Sequence, residues 1–265
     1  MYIACCKRHD EKRSVVVASS LHYKRRFEMF ITNLITIQAI FFLISFLLER
    51  IFPNKQWQTQ KGFGSMLCFL MSIGAIFAQV MFFGWINIAG IGIEINEDPL
   101  IEGIIFYLVY SLVNYWAHRA KHAIPTAWKY LHKMHHSTSH MDSRVAFYRH
   151  PLEMVVNTVI LFALGKIILD VSANAVAMAL VIEGILETFH HANIKLPRWI
   201  RPLGYIIQIP EQHIIHHQKG LHKYNYSPLA LWDLIFGTLR FHHSGFNGLG
   251  FKDSNKAWPY LRFDK

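Results

Sequence analysis

Seventeen histidines in 265 residues are more than packing alone calls for, and they are unevenly placed. Five fall between positions 118 and 136, and five more between 190 and 217. Within these clusters, His118-Arg-Ala-Lys-His122 sets two imidazoles at i and i+4, one above the other on a helix face. His132-Lys-Met-His135-His136 and His213-Ile-Ile-His216-His217 set three at i, i+3 and i+4, an arc of about 100° at 3.6 residues per turn. Each trio is expected to look in one direction. A bare face of that kind is a costly way to build a helix, because His is a mediocre helix former and protonated neighbours repel. Metal ions give the arrangement a reason. Neutral imidazole is a good ligand for zinc, copper, iron and nickel, and coordination keeps the rings deprotonated. A single His-x-x-x-His is common on solvated helices; two copies of His-x-x-His-His in one apolar chain point to a metal site. Sulfur chemistry is set aside, because the three cysteines, Cys5, Cys6 and Cys68, form neither a disulfide framework nor a zinc or haem motif.

The elements that must position these rings read as membrane helices. Hydrophobic residues make up 52% of the chain and charged residues 17%, against roughly 25% charged in an ordinary soluble domain. Residues 27–48 are apolar apart from Glu28, and 63–88 carry no charge and end in the aromatic cluster Phe82, Phe83 and Trp85. Residues 100–116 carry only Glu102, while 152–169 and 171–189 read as a helical hairpin with its tip near 166–174. Each is long enough, or nearly so, to cross a hydrocarbon core of about 30 Å. The first run lacks the short h-region and small-residue cleavage site of a signal peptide, so it is expected to stay attached. The segment 117–151 holds six basic residues against one acid, and the segment after His190 ten against four, which predicts that both are cytosolic. Counting spans back from there puts residues 1–26 outside despite their seven basic residues, a conflict that basic-residue counting does not resolve. The expected fold is all-α: an integral membrane, multi-pass helical protein with a cytosolic, histidine-rich helical cap holding a dimetal site. Its expected parts are a polar tail (1–26), a membrane-embedded catalytic domain (27–240) and a C-terminal tail (241–265).

The histidine boxes, in this order around a membrane hairpin, resemble those of the fatty acid hydroxylase and sterol desaturase superfamily, the membrane-bound histidine-box diiron oxygenases. The resemblance covers about residues 27–238. It extends to Tyr115-Trp116-x-His118-Arg119, Trp128, His150-Pro151-Leu152-Glu153 and Phe189-His190-His191-Ala192-Asn193. Asn225-Tyr226-Ser227 followed by Leu231-Trp232-Asp233-Leu234-Ile235-Phe236-Gly237-Thr238 is similar to the family's closing signature. One departure is Lys223, where the family usually has an acid two residues before the Asn. The resemblance implies His118, His122, His132, His135, His136, His191, His213, His216 and His217 as metal ligands. It leaves His190, His150, Glu187 and Asn193 as outer supports of those ligands. The remaining histidines, His9, His22, His140, His222, His242 and His243, have no ligand spacing and read as surface or supporting residues.

The implied activity is a lipid monooxygenase: hydroxylation or desaturation of a C–H bond of a sterol or fatty acyl type lipid, as a step in lipid biosynthesis. Its cofactors would be two Fe2+ ions with O2 as co-substrate, because no side chain acting as acid or base can break an unactivated C–H bond. An external electron donor is required, since neither a dinucleotide-binding Gly-x-Gly-x-x-Gly nor a haem or Cys-rich motif is present. A cytochrome b5-like protein or a ferredoxin-type carrier with its reductase would fill that role. The other implied partners are the bilayer, of a bacterial inner membrane or ER type, and the lipid substrate. Two other classes stay open on spacing alone: a zinc-dependent membrane hydrolase, and a non-enzymatic membrane metal-binding protein. A nucleic-acid role is not expected, because the basic residues track the membrane edges and form no compact stripe.

Overall fold

The computed structural model describes residues 25, 29–55, 66–67, 69–75, 77–78, 98–242, 245–251 and 256–264. Among these residues the chain is helical with no strands, and two isolated bridges, Pro53 to Ile194 and Gln218 to Leu249, tie loops together. Four helices are long and apolar enough to cross a membrane: α1 (Met29–Ile51), α2 (Pro99–Ala123, apolar from Leu100), α3 (Pro151–Phe162, extended by a π-helical turn to Ile168) and α4 (Ala173–His191). Of the remaining apolar run, 63–88, residues 66–67, 69–75 and 77–78 are helical and the rest lies outside the described residues. Most of residues 89–99, most of the N-terminal tail, and with them His9 and His22, also lie outside.

α4 is the central member, with 50% of its apolar window buried against 17% for α1. Ala175, Val176, Ala179 and Leu180 of α4 pack with Phe106 and Tyr110 of α2 and Leu161 of α3 in one apolar core. α2 and α4 approach closely because Gly103 has no side chain: a Cβ there would lie 2.9 Å from the Cβ of Met178. Polar contacts fasten the same pair at both ends. Glu102 accepts from the Ser172 amide at 2.9 Å near the hairpin tip, and Glu183 accepts from Tyr107 and Asn114, each at 2.8 Å, further along. The outer faces stay apolar, with Ile37, Leu43, Leu47, Leu108, Val155 and Val159 exposed, as lipid contact requires.

Beyond the helix ends lies a cap of short elements. A one-turn helix (Pro125–Ala127) leads into a π-helical turn (Trp128–His132), followed by 3-10 turns at His135–Ser137, Ser143–Phe147 and Arg198–Tyr205. α5 (Pro210–His217), α6 (Ala230–Ile235) and α7 (Trp258–Leu261) complete it. The segment after Arg240 lies against this cap, burying Leu249, Ala257 and Tyr260. α1 is clamped to the cap by Glu49, which accepts from the Ser143 amide at 2.9 Å and the Asn193 amide at 3.2 Å.

Candidate metal centre

The apolar run expected at 100–116 continues as helix to Ala123, so His118 and His122 ride on the last turns of α2. His190 and His191 likewise end α4, and His213, His216 and His217 lie in the C-terminal part of the short α5. The middle box is not α-helical. Its Lys133 amide bonds back to the Trp128 carbonyl at 2.8 Å, a π-type turn ending at His132, and His135 and His136 follow in a 3-10 turn.

Nine imidazoles from these elements form two groups. A five-ring group comprises His118, His122, His132, His136 and His216; a four-ring group comprises His135, His191, His213 and His217; within each, the candidate ligand atoms lie within 4.8 Å of one another. The expectation that each trio looks one way is therefore corrected. His132 and His136 turn to the five-ring group and His135 to the other, while His216 parts from His213 and His217. An arc of about 100° is wide enough for its two edges to serve neighbouring centres.

The outer nitrogens settle which atoms face inward. His118 Nδ1 is 2.5 Å from the Tyr226 carbonyl and His132 Nδ1 is 2.9 Å from a Glu153 oxygen; both partners are acceptors, so each Nδ1 donates and each Nε2 keeps its lone pair. Those two Nε2 atoms nevertheless lie 2.8 Å apart. The same holds in the four-ring group, where His135 donates to the Tyr148 carbonyl at 3.2 Å and His191 to the Glu187 carbonyl at 2.7 Å, with their Nε2 atoms 3.2 Å apart. Two lone pairs at that distance repel, and a second proton is no remedy for the cap histidines. Burial first, then neighbouring imidazoles, holds His132, His135, His136, His213, His216 and His217 well below the ordinary value of 6.5. A cation in each group would turn the repulsion into coordination. All-imidazole donors fit zinc, iron, copper or nickel, and do not fit magnesium or calcium.

Several supporting residues carried no spacing signal. Glu153, wholly buried at the start of α3, accepts from His132 and pairs with Lys121 at 2.9 Å; Lys121 also donates to Asn157 at 2.9 Å. The closing signature acts through its backbone. Asn225, at φ 55°, receives the Arg240 amide at 2.7 Å and donates to the Gln212 carbonyl at 2.8 Å. Asp233 accepts from the Tyr226 and Ser227 amides, each at 2.8 Å. This holds the Tyr226 carbonyl on His118 and the Tyr224 carbonyl on His216, the latter at 2.7 Å. Lys223, where the family usually has an acid, is exposed.

The expected outer supports fall in different places. Glu187 pairs with Arg149 and lies 3.4 Å from His190 and 3.6 Å from His191. His190 is buried against His213, with ring centroids 3.9 Å apart. Asn193 faces the α1 exit, exchanging hydrogen bonds with the backbone of Lys55 at 2.7 and 3.1 Å. His150 caps α3, its Nδ1 accepting from the Leu152 amide at 3.0 Å. Of the histidines without ligand spacing, His222 lies against the five-ring group, 4.5 Å from the His136 ring centroid, and His140 pairs with Asp142 at 3.2 Å. His242 is exposed, and His243 lies outside the described residues.

A membrane-helix bundle ending in two clusters of inward-facing imidazoles defines a multi-pass membrane protein with two adjoining candidate metal sites. A family model described as fatty acid hydroxylase matches residues 103–238, from the second turn of α2 through the closing signature. The chain belongs to the fatty acid hydroxylase family. It is 29% identical over 141 residues to fatty acid hydroxylase domain-containing protein 2 of Macaca fascicularis, covering 52% of this chain and 38% of that one. It is 30% identical over 138 residues to sphinganine C4-monooxygenase 2 of Arabidopsis thaliana, covering 51% and 52%. A very-long-chain aldehyde decarbonylase of Oryza sativa subsp. indica is 24% identical over 172 residues, covering 63% and 65%. The chain thus spans between about two fifths and two thirds of the length of these relatives. No solved structure matches.

Proposed function

We propose that this protein is an oxygen-dependent, non-haem diiron oxidoreductase that hydroxylates or desaturates a C–H bond of a membrane lipid. The observation that carries the reading is the pair of imidazole groups whose bare Nε2 atoms face each other at the ends of membrane helices. His118, His122, His132, His136 and His216 would hold one ion, and His135, His191, His213 and His217 the other. Reduced iron with O2 supplies an oxidant strong enough for an unactivated C–H bond, which no side chain can do. The chain's own residues bind and orient. Glu153 and the Tyr224, Tyr226, Tyr148 and Glu187 carbonyls hold protons on the outer nitrogens so that the inner ones stay free. The apolar helix faces admit a lipid and keep water out. Electrons come from an external donor, of cytochrome b5-like or ferredoxin type, and the metal-bearing cap faces the cytosol.

The relatives' printed names span a sphinganine monooxygenase, a fatty acid hydroxylase and an aldehyde decarbonylase, which supports a lipid substrate and leaves its identity to experiment. The test is metal analysis and turnover on one preparation. Protein purified after growth without added zinc should carry about two iron ions per chain. Lipid extracts of cells with and without the intact gene should differ by a hydroxyl or a double bond, dependent on O2 and a reductant. Competent protein that lacks iron, or carries one ion, sinks the diiron assignment, and zinc-dependent hydrolysis would replace it.

A further inference from the structure

Among the described residues, the most exposed large apolar side chain lies on the cap and on none of the candidate spans: Trp199, at 79%. It stands in the 3-10 helix Arg198–Tyr205, where three residues make a turn, so Trp199, Pro202 and Tyr205 form one stripe, and all three are exposed. The stripe has an apolar neighbour. The Leu231 amide donates to the Ile206 carbonyl at 3.3 Å, joining the end of this helix to α6, whose Leu231, Leu234 and Ile235 are exposed as well. Just past α6 the Phe236 ring packs on Trp116 of α2, with centroids 5.0 Å apart, and Trp116 is itself exposed. Exposed apolar side chains therefore continue from the outer face of α2, across α6, to Trp199.

A continuous apolar patch left in water is unfavourable and marks a surface that something covers. Its continuity with the outer face of α2 names the cover, since that face meets lipid. The composition agrees: Trp and Tyr rings collect at the boundary layer of a bilayer, where amphipathic segments lie in the plane. So does the charge. Residues 195–207 hold Lys195, Arg198 and Arg201, all exposed, and no acid. The half-buried Glu211 acts on Arg201, while the acid of α6, Asp233, is wholly buried. We propose that residues 198–206 and α6 form an in-plane platform seated in the headgroup layer on the cap's side of the membrane, its apolar stripe toward the acyl chains and its bases on anionic phospholipid. The platform is bolted to the metal-bearing cap. Gln212, next to His213, donates to the Gly204 carbonyl at 2.8 Å, and Asp233 holds the Tyr226 amide, whose residue's carbonyl pins His118. Lipid contact there sets the height of both imidazole groups above the hydrocarbon, whichever metal they hold.

The test is depth, read by spin-label power saturation on the full chain in lipid nanodiscs. The background carries Cys5→Ser, Cys6→Ser and Cys68→Ser, with one label at a time at Trp199→Cys or Leu234→Cys. Val159→Cys, on the exposed outer face of α3, and Lys219→Cys, exposed on the cap, are the lipid and water references. Oxygen should relax the labels at 199 and 234 at least about threefold more effectively than a water-soluble nickel chelate does, as at 159, with the reverse at 219. Replacing about 30% of the phosphatidylcholine by phosphatidylglycerol should cut nickel access at 199 roughly twofold, and a Lys195→Gln, Arg198→Gln, Arg201→Gln variant should lose that response. Two labelled sites keep the test open if one variant fails to fold. Nickel access at 199 and 234 equal to that at 219 puts the platform in water and overturns the proposal. Protection from both reagents means that protein covers the patch, a second copy of this chain where the labels broaden one another, and overturns it too. Nickel access that ignores lipid charge overturns the assignment of the three bases to anionic headgroups.

Discussion

In the five-ring group three of the five rings are held from outside by anchored partners: His132 by a carboxylate that is itself paired with Lys121, and His118 and His216 by carbonyls of the loop that Asn225 and Asp233 hold, while the Nδ1 of His136 has no partner among the described residues. In the four-ring group only His135 and His191 have outer acceptors; among the described residues the Nδ1 atoms of His213 and His217 have none. Beside the four-ring group, Glu187 lines a cavity of about 60 Å³ together with Tyr110, Asn114, Arg149 and Glu183. The same donor chemistry is thus held from outside in two ways, by a buried carboxylate and a braced loop in one group and by two backbone carbonyls alone in the other.

The largest effect would break the comparison outright. His→Ala at any of the nine grouped histidines should abolish turnover at equal membrane abundance. The metal count should report the grouping: His132→Ala and His213→Ala should each lower it from about two ions per chain to about one, from different sites. If either variant loses both ions, the groups behave as one site and the comparison fails. His242→Ala, on an exposed residue, is the control that should change neither count nor rate.

Acid should next sharpen it. The six cap histidines held below 6.5 stay neutral when folded and take protons when unfolded. Between the folded value and 6.5 the unfolded state therefore binds more protons, so stability rises with pH there, levels off above 6.5, and is lost as pH falls below it. Each ring contributes at most about 1.4 kcal/mol per pH unit. Thermal unfolding of metal-free protein in detergent should show this slope below 6.5 and a plateau above. A flat profile from pH 5 to 7 contradicts the burial.

Glu153→Ala tests whether the five-ring group owes its rigidity to a single carboxylate. It leaves Lys121 buried beside Asn157 with no counter-charge, which costs about 3–5 kcal/mol. It should also weaken metal binding by about 10- to 100-fold, since such outer supports orient their ligands. Adding Lys121→Met should restore most of the folding stability and none of the metal affinity. Restoration of both would mean that Glu153 acts through packing alone.

What the sequence disclosed and what it hid follow from the same physics. Apolar length and histidine periodicity are local, so four of the helices, the boxes and the hairpin tip near Asp170 could be read directly. Whether a trio faces one centre or two is not written in its spacing: the His213 trio divides on a regular α-helix because its arc reaches both groups, and the His132 trio divides across the π and 3-10 turns of residues 128–137, which have no periodicity signal. Glu153, Asn225 and Asp233 sit in quoted motifs, yet their work is done on partners remote in sequence or on backbone amides, which spacing does not encode. Glu49 was hidden more deeply, as an ordinary charge ending an apolar run, until the fold brought Ser143 and Asn193 onto it.

The smallest expected effect concerns His150, which motif position placed among the supports of the metal ligands. Its Nδ1 accepts the Leu152 amide at the start of α3, and its Nε2 lies 3.3 Å from the Leu261 carbonyl, so its contacts are a helix end and the C-terminal segment. Losing a cap typically costs about 1 kcal/mol. His150→Ala should therefore lower thermal stability by that order while leaving about two ions per chain, and His150→Asn or His150→Ser, which can cap in the same place, should recover most of the loss. The effect on turnover should follow the folded fraction and no more. A His150→Ala protein that is fully folded but short of one ion would place this ring back in the service of the four-ring group, through the Tyr148 carbonyl two residues away that holds His135.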